Sequence, residues 1–418
     1  MSEHLPLCRK RALAELSNEV AALKEASATE AATLASLKAG ETSLKEAIRV
    51  LVQEIDGAAA AHKAAVTAAM TAYKKEEQRR RELYNELQEV KGNIRVYCRM
   101  KPRSATEICE FISQHDDMNL NLYDEQTGRD MRFEFDLVIP EDATQEFIFA
   151  EVQPLALSIL DGYHVCIFAY GQTGSGKTYT MEGPKTNRGV NVRAVNEIFK
   201  SIEARANDYT YTVEVAVLEV YNENVYDLQN KRGRVEIRHS EKTGVVIEGL
   251  TRVSCTHTDA VVDCLTAAYS QRQMKSTAMN AESSRSHCIV SLYIQGTNST
   301  TGQKIIGKLH MIDLAGSERI KQSEATGDRL KEATHINQSL TSLGKVIRAL
   351  SAKTKEHVPY RDSKLTLVLQ DSLGGNCKCL MFANISMANS NVNETLSTLK
   401  FATNARKVEL GRATANKS

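Results

Sequence analysis

Gly171-Gln172-Thr173-Gly174-Ser175-Gly176-Lys177-Thr178 fits the pattern G-x-x-x-x-G-K-[ST], and the reading of this stretch decides the fold. The residues before it, His164-Val165-Cys166-Ile167-Phe168-Ala169-Tyr170, are mostly apolar and read as a short buried strand. Tyr179-Thr180-Met181 continues as a first helical turn. Strand, glycine-rich loop and helix in that order make a phosphate cradle, because glycines let backbone N–H groups turn inward at the positive end of a helix. In such a cradle Gln172, Thr173, Gly174, Ser175 and Gly176 surround phosphate oxygens, Lys177 reaches the β- and γ-phosphates, and the Thr178 hydroxyl ligates Mg²⁺. The alternative is a glycine-rich turn without a ligand; the complete pattern in its strand-to-helix setting argues against it.

The chain of 418 residues is 42% hydrophobic and 25% charged, a composition that builds an ordinary core. A net charge of +1 points neither to a nucleic-acid binder nor to a strongly acidic partner, although a local basic face stays open. The nine cysteines are scattered without C-x-x-C spacing, which reads as reduced thiols rather than a disulfide framework. Cys377 and Cys379 fall in a strand-like run and read as a buried pair. No apolar stretch approaches the length of a membrane span, and the first residues lack a signal-peptide core, so the expectation is a cytosolic or nuclear protein.

Between Pro6 and Pro102 there is no proline, and residues 8–91 are rich in Ala, Leu, Glu and Lys. A heptad phased from Leu13 puts Leu13, Leu16, Val20, Leu23, Ser27, Glu30, Leu34, Leu37, Glu41, Leu44, Ile48, Leu51 and Ile55 at a and d; ten of these thirteen are apolar. The spacing predicts a helix on the order of 100 Å long. Such a helix cannot bury its stripe alone, so a parallel partner helix is expected, with folding back onto the globular part as the alternative. From 58 to 72 the seam turns to alanine, which keeps helix propensity but buries little area.

Residues 93–410 alternate strand and helix signals. Ile94-Arg95-Val96-Tyr97-Cys98-Arg99, Phe133-Glu134-Phe135-Asp136, the run 212–220, 288–295 and 308–313 read as strands, while 144–160 and 328–350 read as helices. A polar section to about Asp130 shows no clear pattern. The alternation predicts a doubly wound α/β sheet with nucleotide at the carboxyl ends of its strands. Asp313-Leu314-Ala315-Gly316 then closes an apolar strand as a D-x-x-G, whose aspartate suits the Mg²⁺ shell and whose glycine N–H can sense a γ-phosphate. D-x-x-G is common by chance, and Asn280-Ala281-Glu282-Ser283-Ser284-Arg285-Ser286-His287 alone reads as a polar loop.

Together, residues 171–178, 280–287 and 313–318 resemble the P-loop and two switches of kinesin motor domains. The resemblance extends to Leu218-Glu219-Val220-Tyr221-Asn222-Glu223 and Val358-Pro359-Tyr360-Arg361-Asp362-Ser363-Lys364-Leu365-Thr366, and covers essentially all of 93–410. A coiled coil that runs straight into Gly92-Asn93-Ile94-Arg95-Val96 is similar to the C-terminal-motor, minus-end-directed kinesin-14 group. The fold implied is a kinesin-type α/β P-loop motor domain at 92–410, with a central sheet flanked by helices, preceded by a coiled-coil stalk and neck at 1–91 and followed by a short tail at 411–418.

The resemblance implies ATP and ADP with Mg²⁺ as cofactors and microtubules as the track, with a homodimer or heterodimer through the coiled coil and no nucleic acid or membrane as partner. Arg99, Lys101, Pro102 and Tyr179 would line the adenine pocket, with Lys101 where the family usually has Arg. Thr178 and Ser284 would hold Mg²⁺, with Asp313 acting through water. Lys177, Ser283, Arg285, Gly316 and Glu318 form the implied catalytic set: Arg285 and Glu318 bridge the switches, and Ser283 and Glu318 position water. The filament face would draw on Lys321, Arg329, Lys331, Lys345, Arg348, Arg361 and Lys364. Two departures stand out. Leu367 replaces a usual Arg, which removes a cation from that face unless Lys345 restores it, and Val192 replaces a proline, for which only a local loop change is expected.

A kinesin-like module that grips microtubules without turnover would lose the P-loop lysine or switch residues, and this chain keeps Lys177, Ser284, Arg285, Asp313, Gly316 and Glu318. A GTPase would need a guanine-reading N-K-x-D after the switches, and a nucleic-acid translocase an aromatic-lined basic groove. Neither is visible. Localisation on microtubules of the cytoplasm or spindle follows from the resemblance.

Overall fold

A computed structural model describes residues 4–91, 94–103, 109–124, 127–240, 244–274, 284–318, 328–352 and 357–418. The chain separates into two compact units, Met1–Arg80 and Arg81–Ser418. Helix α1 (His4–Lys91) fills the first and runs without a break past Gly40 and Gly57. The junction at Gly92-Asn93 lies outside the described residues.

In the second unit β1 (Arg95–Met100) begins the main sheet, and Ile94 N donates to Val408 O (3.3 Å), so both ends of the motor fold meet. The polar section that shows no clear pattern in the sequence holds a small antiparallel sheet of β2 (Ile112–Gln114), β3 (Asn119–Asp124) and β4 (Arg129–Glu134). Its alternation is short but real: Leu120 and Leu122 are fully buried while their neighbours are not. After β5 (Leu137–Ile139), helix α2 (Gln145–Leu157) starts on Thr144, whose hydroxyl accepts from Phe147 N (3.2 Å). It ends before the expected 160: a 3₁₀ turn over Ser158–Asp161 follows, closed by Gly162 in the left-handed region (φ 91°).

Then come β6 (His164–Tyr170), α3 (Lys177–Met181) and α4 (Val190–Ala204). Val192 therefore sits buried in the first turn of a helix rather than in a loop; that turn needs no intrahelical N–H partner, which is why proline and valine both fit there. β7 (Tyr209–Tyr221), β8 (Asn224–Asp227), β9 (Gly233–Ser240) and β10 (Gly244–Glu248) form an antiparallel meander, and β11 (Val253–Ser254) also pairs with β7. The β7–β8 turn carries Asn222 and Glu223 at positive φ (49° and 54°), the geometry of a tight hairpin. Helix α5 (Thr258–Met274), strands β12 (His287–Asn298) and β13 (Lys304–Asp313), helices α6 (Asp328–Ser351), α7 (Lys364–Val368) and α8 (Gln370–Leu373), strand β14 (Lys378–Ile385) and helix α9 (Val392–Arg406) complete the unit.

The main sheet runs β10-β9-β8-β7-β12-β13-β6-β14-β1-β5. Only β13, β6, β14, β1 and β5 pair in parallel; from β13 outward through β12 every pairing is antiparallel. The expected doubly wound sheet is thus half correct, since a run of apolar residues does not encode strand direction. One core packs α2, α4 and α5 on one face, with Ile148, Val195 and Leu265 buried, and another packs α6, α7 and α9 on the other, with Leu343, Leu365 and Leu399. β6 serves both: Val165, Ile167 and Ala169 face one core, Cys166, Phe168 and Tyr170 the other. Residues 411–418 cross the feet of β13 and β6, where Asn416 N donates to Gly162 O (2.8 Å), Ile306 N to Asn416 O (3.0 Å) and Lys304 N to Ser418 O (2.8 Å).

Candidate functional site: the phosphate loop and its switches

Parallel pairing brings the ends of β6 and β13 together, with Ala169 level with Asp313. The chain leaves β6 through Gly171, at φ 150° against the carbonyl of Asn384, where a Cβ would collide. Lys177 folds back to donate from Nζ to Gln172 O (2.9 Å) and is 6% exposed. Burial lowers its pKa against the opposing pull of Asp313 and Glu318. The Thr178 hydroxyl donates to Asp313 Oδ2 (2.8 Å), so two of the three residues expected around Mg²⁺ touch. Asp313 Oδ1, Ser175 Oγ and Gln172 Oε1 are buried without a hydrogen-bond partner. Leaving such atoms unsatisfied costs about 1–3 kcal/mol each. Hard oxygen donors with unused lone pairs around a buried ammonium suit a divalent cation and phosphate.

The D-x-x-G segment lies across this loop. Gly316 N donates to Ser284 O (2.9 Å), Ser317 N to Gly171 O (3.1 Å), and Glu318 accepts from Thr173 N (2.7 Å) and Thr173 Oγ1 (2.5 Å). A Cβ on Gly316 would strike Thr173 Oγ1 and the Glu318 carboxylate, so a larger residue here would have to push the Glu318–Thr173 contact apart. Arg285 follows Ser284 at the start of the described part of its loop, and Ser283 lies outside the described residues. In this arrangement the Gly316–Ser284 backbone bond joins the two switch segments, while both Glu318 oxygens are engaged by the P-loop.

Three residues not singled out in the sequence for this site hold it together. Arg272 on α5, almost fully buried, donates to Ser286 Oγ (3.1 Å) and Ser286 O (2.9 Å) and lies 3.7 Å from Asp313 Oδ2 and 3.6 Å from Glu219 Oε1. Asn384 donates to Thr180 Oγ1 (2.8 Å), and Gln145 donates to Tyr179 O (2.7 Å). Nothing in the sequence distinguishes Arg272 from a surface cation. His287, quoted only as the end of a motif, spans the switches: its Nδ1 accepts from Ala315 N (3.0 Å) and its Nε2 meets Ser339 Oγ of α6 (2.8 Å). An accepting Nδ1 leaves the proton on Nε2, which donates to Ser339. Burial, then Arg272 and Lys177, push its pKa down to about 3.

At the adenine side Arg99 is buried, donates to Thr180 Oγ1 (2.8 Å) and lies 5.1 Å from the Tyr179 ring centroid. Burial lowers its pKa to about 10. Lys101, Pro102 and Tyr179 are exposed, so three of the four expected pocket residues face solvent and the fourth braces Tyr179 from beneath. On the expected filament face Lys345 is paired with Asp362 (3.1 Å), Arg348 and Arg361 are exposed, and Lys364 N donates to Glu223 Oε2 (2.7 Å) from the β7–β8 hairpin. Leu367 is half-buried against the core, so its place is an apolar contact as well as a missing cation. Lys321 and the side chains of Arg329 and Lys331 lie outside the described residues.

A lysine and threonine of a glycine loop meeting a D-x-x-G aspartate at parallel strand ends define a P-loop nucleotide-binding protein with two switch segments. A profile of the kinesin motor domain matches residues 76–408. Kinesin-like protein KIN-14G of Arabidopsis thaliana is 47% identical over 362 residues, covering 84% of this chain and 37% of that protein. Kinesin-like protein KIN-14P of Oryza sativa subsp. japonica is 43% identical over 394 residues, covering 92% of this chain and 39% of that protein. The chain thus spans less than half the length of these relatives. Among solved structures, the C-terminal motor and motor homology domain of Kar3Vik1, fused to a synthetic heterodimeric coiled coil, matches with a TM-score of 0.71 at 38% identity, over 96% of this chain and 99% of that one. The motor domain of the Kar3-like kinesin from Ashbya gossypii matches with a TM-score of 0.65 at 39% identity, over 75% and 99%. The chain belongs to the kinesin motor family, in its kinesin-14, C-terminal-motor branch.

Proposed function

We propose that this chain is a microtubule-stimulated ATPase that converts ATP hydrolysis into minus-end-directed movement or crosslinking of microtubules. The observation that carries the reading is the backbone bond from Gly316 to Ser284 beside Lys177 and Thr178, which supports a γ-phosphate bound where these two segments meet. In this reading Gln172 to Gly176 wrap the phosphates, Lys177 neutralises β- and γ-oxygens, and Arg99, Lys101, Pro102 and Tyr179 hold the adenine. Thr178 and Ser284 would hold Mg²⁺, with Asp313 acting through water. The cation supplies charge neutralisation on the phosphates when bound.

Phosphoryl transfer asks for positioning and charge stabilisation more than covalent help. Glu318 and Ser283 orient the attacking water, and Arg285 clamps the closed state by meeting Glu318 when the latter leaves Thr173. His287 transmits that closure, since it touches the D-x-x-G backbone and α6 at once. Residues 1–91 act as a coiled-coil stalk and neck, 92–410 as the motor domain, and Lys345, Arg348, Arg361 and Lys364 present cations to the acidic track. Retention of every phosphate and switch residue favours turnover over passive binding.

The test is gliding of polarity-marked microtubules over surface-bound protein, with ATP turnover measured alongside. Minus-end movement with microtubule-dependent turnover is expected; plus-end movement refutes the directional reading, and filament binding without turnover refutes the motor.

A further inference from the structure

The carboxylate of Glu318 lies on the phosphate loop as a bound anion would. Its Oε2 accepts from the backbone N–H of Thr173 (2.7 Å) and its Oε1 from the Thr173 hydroxyl (2.5 Å). Both distances are at the short end for their kind, as bonds to an ionised acceptor are. Thr173 is the third residue of the loop, so its N–H belongs to the set that receives phosphate oxygens in this motif. The neighbouring residues hold the carboxylate there. Ser317 N donates to Gly171 O (3.1 Å), and Gly316, without a Cβ, lets the segment come down onto Thr173. Glu318 also acts on the buried Lys177 ammonium, pulling its pKa up against the larger downward effect of burial. The chain thus sets a negative charge of its own against the cation and the N–H group that a nucleotide uses.

The two ends of the loop are not equivalent. Gly176, Lys177 and Thr178 form the end that takes the α- and β-phosphates in this motif. Thr173 lies at the other end, against the D-x-x-G segment, whose glycine is placed to sense a γ-phosphate. A diphosphate stops short of Glu318, whereas a triphosphate brings a further anionic group up to it. Two anions cannot share the same two donors, and like charges in contact repel.

We infer that the Glu318 carboxylate, held by Thr173, is an internal competitor of the γ-phosphate and makes the site favour a nucleoside diphosphate until a triphosphate displaces it. This deepens the nucleotide reading above and rests on it. Part of the binding free energy of the triphosphate goes into moving Glu318 off the loop, so the contact sets the preference between ATP and ADP.

The test compares binding of adenylyl imidodiphosphate (AMP-PNP), a triphosphate that is not hydrolysed, with binding of ADP to the full chain, both with Mg²⁺ present. The readout is the ratio of the two affinities. Thr173 is exposed, so substituting it disturbs no core. Thr173→Val removes the hydroxyl but keeps the N–H and the shape, and is expected to shift the ratio toward AMP-PNP about fivefold. Thr173→Ser keeps the hydroxyl and is expected to stay within about twofold of the unaltered chain. Glu318→Gln removes the charge and is expected to shift the ratio about tenfold. Combining Thr173→Val with Glu318→Gln should add nothing further, because both act through one contact. A ratio that stays constant in Thr173→Val, or moves toward ADP because the hydroxyl serves the phosphate directly, overturns the inference. Additive effects in the double variant overturn it as well. If the unaltered chain binds neither nucleotide, the phosphate-loop reading itself is refuted, so the two failures are distinguishable.

Discussion

His287 offers a measurable link between the switches and stability. It is native as the neutral ring: Nδ1 accepts from Ala315 N and Nε2 donates to Ser339 Oγ. A proton on Nδ1 would face a backbone N–H with a second donor, with Arg272 and Lys177 nearby. Its pKa falls from 6.5 to about 3, through burial first and those two cations second. The unfolded chain therefore takes up a proton as pH drops through 6.5, whereas the folded chain does so only near pH 3, so the stability His287 contributes is full above 6.5 and lost on acidification. Between neutral pH and about pH 5 that loss amounts to about 2 kcal/mol.

His310 is depressed in the same direction, by burial first, so the raw pH dependence of the protein mixes both groups. The comparison that isolates His287 is the unaltered chain against His287→Gln. Glutamine keeps an acceptor and a donor but does not titrate. Urea unfolding is followed by the near-UV signal of tyrosine, since the chain has no tryptophan. At neutral pH the variant is expected to be less stable by about 1–3 kcal/mol, for imperfect hydrogen bonds in a buried site. On going to about pH 5 the gap should shrink by about 2 kcal/mol. A gap that stays constant or widens would refute the neutral, switch-spanning histidine.

Arg272→Ala leaves Asp313 and Glu219 without one of their buried cations and is expected to cost about 3 kcal/mol or more, read from thermal unfolding, with Arg272→Lys recovering part of it. Gly316→Ala should lower ATP turnover on the order of a hundredfold, because a Cβ displaces Thr173 and Glu318, while ADP binding persists; unchanged turnover would contradict the close approach. Arg285→Ala and Glu318→Ala are each expected to slow hydrolysis strongly with nucleotide binding largely intact, and near-normal microtubule-stimulated rates in either would defeat the switch-bridge assignment. Leu367→Arg should strengthen microtubule binding at low salt and lose about 1 kcal/mol of stability through its half-buried contact.

Much of the site was legible because its chemistry is local. Residues 171–178 carry strand, loop and helix signals in one stretch, and Asp313 sits at the end of a run of apolar residues that reads as a strand unaided. Arg272, Gln145 and Asn384 were not legible: each lies far along the chain from Lys177 and reaches the site only because β6, β13, β14, α2 and α5 pack as they do. Sheet direction was equally hidden, since β12 is as apolar as β6 and β14 but runs antiparallel to both its neighbours, β7 and β13.

By itself, then, the sequence determined that this chain carries a phosphate-cradle motif between strand and helix and that a long helix with an apolar stripe precedes it, because spacing within one segment sets backbone geometry, charge and exposed face; the two switch segments were legible only through the family resemblance. Only the tertiary structure decided that Glu318 rests on Thr173, that Arg272 stands behind Asp313, that His287 joins the D-x-x-G backbone to α6 and that Leu367 packs half-buried against the core. These are contacts between residues remote in the chain. Their energies depend on burial and on distance in space, which no local spacing encodes.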